Sequence, residues 1–338
     1  MLKKLVFILF VVFSWQCLAA PSAQAQNNSG CFMATTWWFP DPIPPGWYYF
    51  GPYPAPFVYL IAAKTSACAP PAAPKETCPT CPKAGRPISL ATGNTFINET
   101  DVSLPGLGGG LTLTRTWNSQ WPATQLASSI GDFGPNWRST YEERIFMSGD
   151  NYLKYARGDG SFWSFGINPN TGKFVVAAPA SASATLLQGA TSWILIFQNG
   201  EQRQFNLTTG VLTAIVDRNG NTTQLTYDPS NRLATITDPA SRHLYFNYGT
   251  GSLSLLVTSV TSDFGISLSY AYDAQFRLSQ VTKPDLTTIT FNYNSQSQIA
   301  SVTDSNGKVL ESHTYDSSGR GLTSSRANGV ESLTITYP

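Results

Sequence analysis

The sequence predicts an all-β protein: an antiparallel strand and hairpin repeat array preceded by a β-rich N-terminal domain. Three observations carry this. An aromatic residue recurs about every 22 residues through the C-terminal part. Each such residue closes a stretch in which apolar and polar side chains alternate, the period of a half-buried strand. Only 12% of residues are charged, and Thr, Ser, Asn and Gly are abundant, a composition that favours strands and turns over helices. No amphipathic helix of useful length is present.

The chain divides into four stretches. Residues 1–25 read as a signal peptide: Lys3 and Lys4 form the positive start, Leu5 to Phe13 is an apolar run too short to span a bilayer, and Ala23-Gln24-Ala25 places cleavage after Ala25. Gln16 before Cys17 argues against a lipoprotein site, which needs a small residue there. The expected location is therefore secreted or cell envelope, with membrane contact only through the signal peptide.

Residues 26–85 are crowded with prolines and aromatics, and Pro removes ladder donors, so no long strand or helix is expected here. Trp37, Trp38, Trp47 and Tyr48 offer rings that stack on sugars, which makes cell-surface polysaccharide a candidate partner. Cys31, Cys68, Cys78 and Cys81 remain after cleavage, and an even count in an oxidising compartment suggests disulfides with three possible pairings. Cys78 and Cys81 have redox-type spacing but lie in a Pro-rich run rather than at a helix start, and one close pair is too little for zinc.

Residues 86–200 read as a β domain. Leu111 to Trp117 alternates with period two, Tyr152–Tyr155 and Phe162–Phe165 flank Gly158-Asp159-Gly160 as a hairpin, and Trp193–Phe197 runs into the turn Asn199-Gly200. Residues 201–338 hold five to six units. Tyr227, Tyr248, Tyr272, Tyr293, Tyr315 and Tyr337 are spaced by 21, 24, 21, 22 and 22 residues, with Phe205 one step earlier. Ile266, Leu268, Tyr270 and Tyr272 share one strand face, as do Ile289, Phe291 and Tyr293, and Leu333, Ile335 and Tyr337. Tyr227-Asp228, Tyr272-Asp273 and Tyr315-Asp316 are each followed by a polar turn and then by Arg232, Arg277 and Arg320. The Asp can cap its turn, and the Arg stands where it can pair with that carboxylate.

These residues resemble the YD repeats of the Rhs and teneurin families, whose pattern is Tyr-Asp, a turn ending in Gly-Arg-Leu, then a second Asp turn. Asn294, Gln298-Ile299 and Lys283 depart from it. Upstream, Pro87 to Asn94, Asp101 to Pro105, Arg115-Thr116-Trp117-Asn118 and Phe133-Gly134-Pro135-Asn136-Trp137 resemble the domain of unknown function that commonly opens Rhs proteins. The resemblance spans residues 85–338 and implies a scaffold whose sheet forms part of a hollow β-shell, enclosing a toxin in bacteria or making cell contacts in animals. The implied partners are a further repeat-containing chain or a toxin cargo. Five repeats cannot close a shell, so an uncovered apolar concave face and an open last strand are expected.

No catalytic constellation stands out. His243 and His313 lack metal-ligand spacing, and there is no HExxH, nucleophile elbow or phosphate loop. Glu311 and His313 share the face of Tyr315 and are read as a polar spot in a degenerate repeat. The turn Asp residues form turns and do not make a calcium loop. Arg157-Gly158-Asp159 is read as plain turn chemistry. A formal charge of +1 argues against a nucleic-acid partner, and neither metal nor cofactor is implied.

Overall fold

The computed structural model describes the strands Cys31–Trp38, Trp47–Pro52, Val58–Thr65 and Lys83–Ala84, and residues 87–337 apart from 122–129, 149–151, 169–170, 180 and 327–328. The described residues are nearly all β, with two single-turn 3-10 segments, Leu107–Gly109 and Gly251–Leu253. One 19-stranded sheet dominates. It runs from Arg144–Met147 to Val330–Thr334, and its strands lie side by side in chain order, each antiparallel to the next. Such a meander follows from short turns, because a connection of only a few residues can return the chain only antiparallel.

The sheet passes through position 200 without a break. Phe197 N donates to Glu201 O at 2.9 Å, and the strand Ser192–Phe197 pairs with Gln202–Asn206 as one hairpin. The first strand also returns onto the sheet. Ile145 N donates to Gly210 O at 2.9 Å and Leu212 N donates to Glu143 O at 3.2 Å, so the strands from Arg144–Met147 to Gln202–Asn206 close into a roll. Beyond it the sheet continues strand by strand to Val330–Thr334.

The repeat strands carry a regular irregularity. At each repeat aromatic from Phe205 to Tyr315 the register shifts: between Gln204 and Phe205, Thr226 and Tyr227, Asn247 and Tyr248, Ala271 and Tyr272, Asn292 and Tyr293, and Thr314 and Tyr315. A bulge adds one residue opposite the aromatic and strengthens the strand twist. It also explains why the following strand does not alternate. Its buried residues stand three apart, as in Leu233 and Ile236, Val257 and Val260, Leu278 and Val281, and Ile299 and Val302.

Two expectations are corrected. Strands do persist in residues 26–85: Cys31–Trp38 and Trp47–Pro52 both pair with Val58–Thr65. Between these three strands the prolines stand at positions 40, 42, 44, 45, 54 and 56, and Pro52 ends the second strand, so none interrupts a ladder. The apolar face of the repeats is also covered. A three-stranded sheet formed by Phe96–Leu104, Leu111–Asn118 and Trp137–Ser139, with the loops around it, lies across that face and shares its core. Composition could not show this, because the covering segment lies far from the repeats in sequence.

Candidate functional site

The repeat turn is built the same way each time. In the Asp228 turn, Asp228 Oδ1 accepts from the backbone amides of Ser230 and Arg232 at 2.9 Å each, and Arg232 Nε donates to Oδ2 at 2.7 Å. Asp238 with Arg242, Asp273 with Arg277 and Asp316 with Arg320 repeat this arrangement. Each Arg following a Tyr-Asp then lies over the Tyr of the next unit. Arg232 is 4.5 Å from the Tyr248 ring centre, Arg277 4.5 Å from that of Tyr293, and Arg320 4.2 Å from that of Tyr337. A contact of this kind contributes about 0.5–1 kcal/mol at exposed sites.

Each tyrosine hydroxyl also reaches back one unit. Tyr227 donates to Leu212 O at 2.6 Å, Tyr272 to Val257 O at 2.7 Å, Tyr293 to Leu278 O at 2.9 Å, Tyr315 to Ile299 O at 2.7 Å and Tyr337 to Gly321 O at 2.7 Å. Tyr248 is the exception, since its buried hydroxyl has no hydrogen-bond partner among the described residues. The Tyr, Asp and Arg of one unit therefore tie a turn, a backbone carbonyl and the neighbouring ring together. Where the pattern departs, the turn survives by substitution. Asn294 Oδ1 accepts from Gln298 N at 2.9 Å, and beyond Lys283 the acceptor is Asp285 Oδ1, taking Thr287 N at 3.0 Å.

The covering segment is latched by a buried ion pair. Arg115 Nε donates to Asp101 Oδ2 at 2.5 Å and Nη2 to Oδ1 at 2.8 Å, with the two side chains 1% and 2% exposed. Tyr270, from the repeat sheet, donates its hydroxyl to the same Asp101 Oδ2 at 2.8 Å. Four rings surround the guanidinium: Phe133 at 5.6 Å, Trp137 at 4.9 Å, Tyr270 at 5.4 Å and Phe291 at 5.9 Å. Burial alone would lower the Arg115 pKa, but the charge and hydrogen bonds of Asp101 outweigh it and raise it. Edge-to-face pairs of Phe133 with Tyr270, Trp137 with Phe291 and Trp117 with Tyr315 continue the contact, each adding about 0.5–1.5 kcal/mol beyond the area it buries. Backbone bonds pin the rim: Gly321 N donates to Gly93 O at 2.8 Å and Val257 N to Asp132 O at 2.8 Å.

Two family models match the chain. The family described as "Domain of unknown function (DUF6531)" matches residues 85–165, and the family "RHS Repeat" matches residues 208–243. The chain carries RHS repeats. Among curated relatives, "tRNA nuclease WapA" of Bacillus subtilis (strain 168) is 32% identical over 146 residues, and "tRNA3(Ser)-specific nuclease WapA" of Bacillus spizizenii is 31% identical over 146. The match covers 43% of this chain and 6% of each relative's length. Among solved structures, "Crystal Structure of TcdB2-TccC3-Cdc42" shares 11% identity, with 56% of this chain and 12% of that chain covered at a TM-score of 0.29. "Crystal Structure of TcdB2-TccC3-TEV" shares 10%, with 70% and 17% covered at 0.26.

The other residues singled out from the sequence have these places. Trp37 and Trp38 lie in the strand Cys31–Trp38, and Trp47 and Tyr48 in Trp47–Pro52, two strands of one small sheet. Cys31 begins the first of them, while Cys68, Cys78, Cys81 and residues 1–25 lie outside the described residues. Glu311 and His313 are buried on the core-facing side of the repeat sheet, with His313 Nε2 4.0 Å from Glu311 Oε2. His243 stacks on Tyr245 and meets Asp263 Oδ2 through Nδ1 at 2.8 Å. Asp159 accepts from Ser161 N at 2.9 Å, an Asx turn inside the expected hairpin. Among the described residues no group of three or more His, Cys, Asp or Glu is placed to hold a metal ion.

The latch is what the sequence reading missed. A signal was present: Arg115 has the parity of Leu111, Leu113 and Trp117, so strand alternation puts a charge on the apolar face. A charge there needs a buried partner, but nothing in the sequence says that Asp101 and Tyr270 supply it.

Proposed function

We propose that this RHS-repeat chain is a non-enzymatic, secreted scaffold that forms part of a β-shell, serving toxin encapsulation or cell contact. One observation carries the reading: contacts of the same form recur between units, with Arg232 on Tyr248, Arg277 on Tyr293 and Arg320 on Tyr337, along a sheet that continues strand by strand. The covering domain supports it as a seal over the apolar face of the repeats, from Val257 to Gly321. The strand Val330–Thr334 is last in the order of described strands, the position at which pairing with a further strand would continue the sheet. The nuclease activity in the names of the relatives is not carried over to this chain, because the overlap is 6% of their length.

The experiment is hydrogen exchange on the purified chain with and without a further repeat-containing chain or its toxin. Protection that grows at Val330–Thr334 on mixing supports the reading. Unchanged exchange there, with no co-elution, refutes it. Fractionating producing cells checks secretion: recovery in medium or envelope is expected, and retention in the cytosol counts against it.

A further inference from the structure

Neither the repeats nor the latch uses a cavity of about 560 Å³ that opens beside the roll, between the strands Phe96–Leu104 and Leu111–Asn118 and the hairpins around Asp159 and Asn199. Its floor is polar and buried. Glu143 is 8% exposed and Tyr155 2%. Glu143 Oε2 accepts from Tyr155 Oη at 2.7 Å and from Arg203 Nε at 3.1 Å. Burial pushes the Glu143 carboxyl up, against the pull of Arg203 and Tyr155. A fold that needed only to fill this space would do so with apolar side chains at lower desolvation cost.

Each guanidinium of the cavity already meets a carboxylate. Arg203 pairs with Glu143 and Glu201, and Arg157 lies 3.5 Å from Asp159. Between these pairs the wall is hydroxyl and amide, from Asn98, Thr114, Thr116 and Asn199, and it includes the half-buried ring of Phe197, which has Arg203 5.5 Å from its centre on one side. An anion would find no unmatched counter-charge here, because the lining holds the carboxylates of Glu143, Asp159 and Glu201 against the guanidiniums of Arg157 and Arg203. A polyol would find donors and acceptors on several sides and a ring for its C–H face. The volume falls in the range of small-molecule sites, about 300–1,000 Å³.

We propose that this cavity is a binding site for a neutral saccharide of one or two rings. It is separate from the aromatic strands near Trp37 and Trp47 and does not depend on the scaffold reading. The test is calorimetric titration of the full chain with cellobiose, maltose and chitobiose, with glucuronate and inorganic phosphate as charged controls. At least one disaccharide is expected to bind saturably, with Kd on the order of 0.1–1 mM. Asn98→Lys, at an exposed strand position on the rim, and the near-isosteric Thr116→Val are each expected to weaken that binding at least tenfold while the circular dichroism melt stays in place. Asn98→Lys keeps the test valid if the buried Thr116→Val variant does not fold. Three results overturn the proposal: no saturable binding of any of the three disaccharides, undiminished binding in Asn98→Lys, or preference for glucuronate or phosphate.

Discussion

Replacing Asp101 by Ala tests the latch most directly. The change removes both hydrogen bonds to Arg115, at 2.5 and 2.8 Å, and the acceptor of the Tyr270 hydroxyl at 2.8 Å. Arg115 is then left charged among four rings without the carboxylate it is hydrogen-bonded to, because a guanidinium does not deprotonate. Breaking one side of a buried pair costs about 3–5 kcal/mol, and an orphaned buried hydroxyl adds about 1 kcal/mol or more. The companion variant Asp101→Ala with Arg115→Met removes both charges and keeps an unbranched side chain against the rings. Its cost is expected to fall below that of the single Asp101 change by about 1–3 kcal/mol, the size of a coupling between directly bonded groups. Urea unfolding followed by tryptophan fluorescence reads this region, since Trp117 and Trp137 are both fully buried against the repeat sheet. A cost below about 1 kcal/mol for Asp101→Ala, or a double variant as unstable as the sum of the singles, would refute the reasoning.

Three further outcomes follow from the repeat unit and the roll. Tyr272→Phe loses the bond to Val257 O and should cost about 1 kcal/mol, whereas Tyr248→Phe removes a hydroxyl without a partner and should be neutral or slightly stabilising, both read by thermal melts. Leu286 holds φ 66° at a turn tip and is 81% exposed, so Leu286→Gly should stabilise by about 0.5–1 kcal/mol in urea titration; Gly210→Ala should cost about 2–3 kcal/mol, because a Cβ there meets Ile145 O at 1.9 Å. In Asp228, Asp238 and Asp316 burial works to raise the carboxyl pKa, but hydrogen bonds from the paired Arg and the turn amides win and lower it. A carboxyl whose folded pKa is depressed contributes stability that is present above its unfolded pKa, near 4, and is lost as pH falls through the folded value. Stability should therefore drop below about pH 4. The combined change of all three to Asn, which keeps the turn as Asn294 does, should flatten that limb in acid titrations followed by circular dichroism; an unchanged limb would rule out the assignment.

The sequence by itself determined the repeat. The spacing of Tyr227, Tyr248, Tyr272, Tyr293 and Tyr315, the alternation before each, and the Asp and Asn turns after them are local features. Strand, turn and side-chain cap lie within a few residues of one another, so short-range sterics and hydrogen bonding specify them. The Asp–Arg pairing was legible as a possibility for the same reason. Other features were decided only in the tertiary structure. The bulge at each aromatic converts the following strand from alternation to a spacing of three, which no period-two reading anticipates. The roll closes through Ile145 and Gly210, and the apolar face is covered by a segment whose Asp101 meets Tyr270, 169 positions away. Contacts of that range depend on where the sheet carries each face, and that path is the accumulated result of every bulge and twist along it.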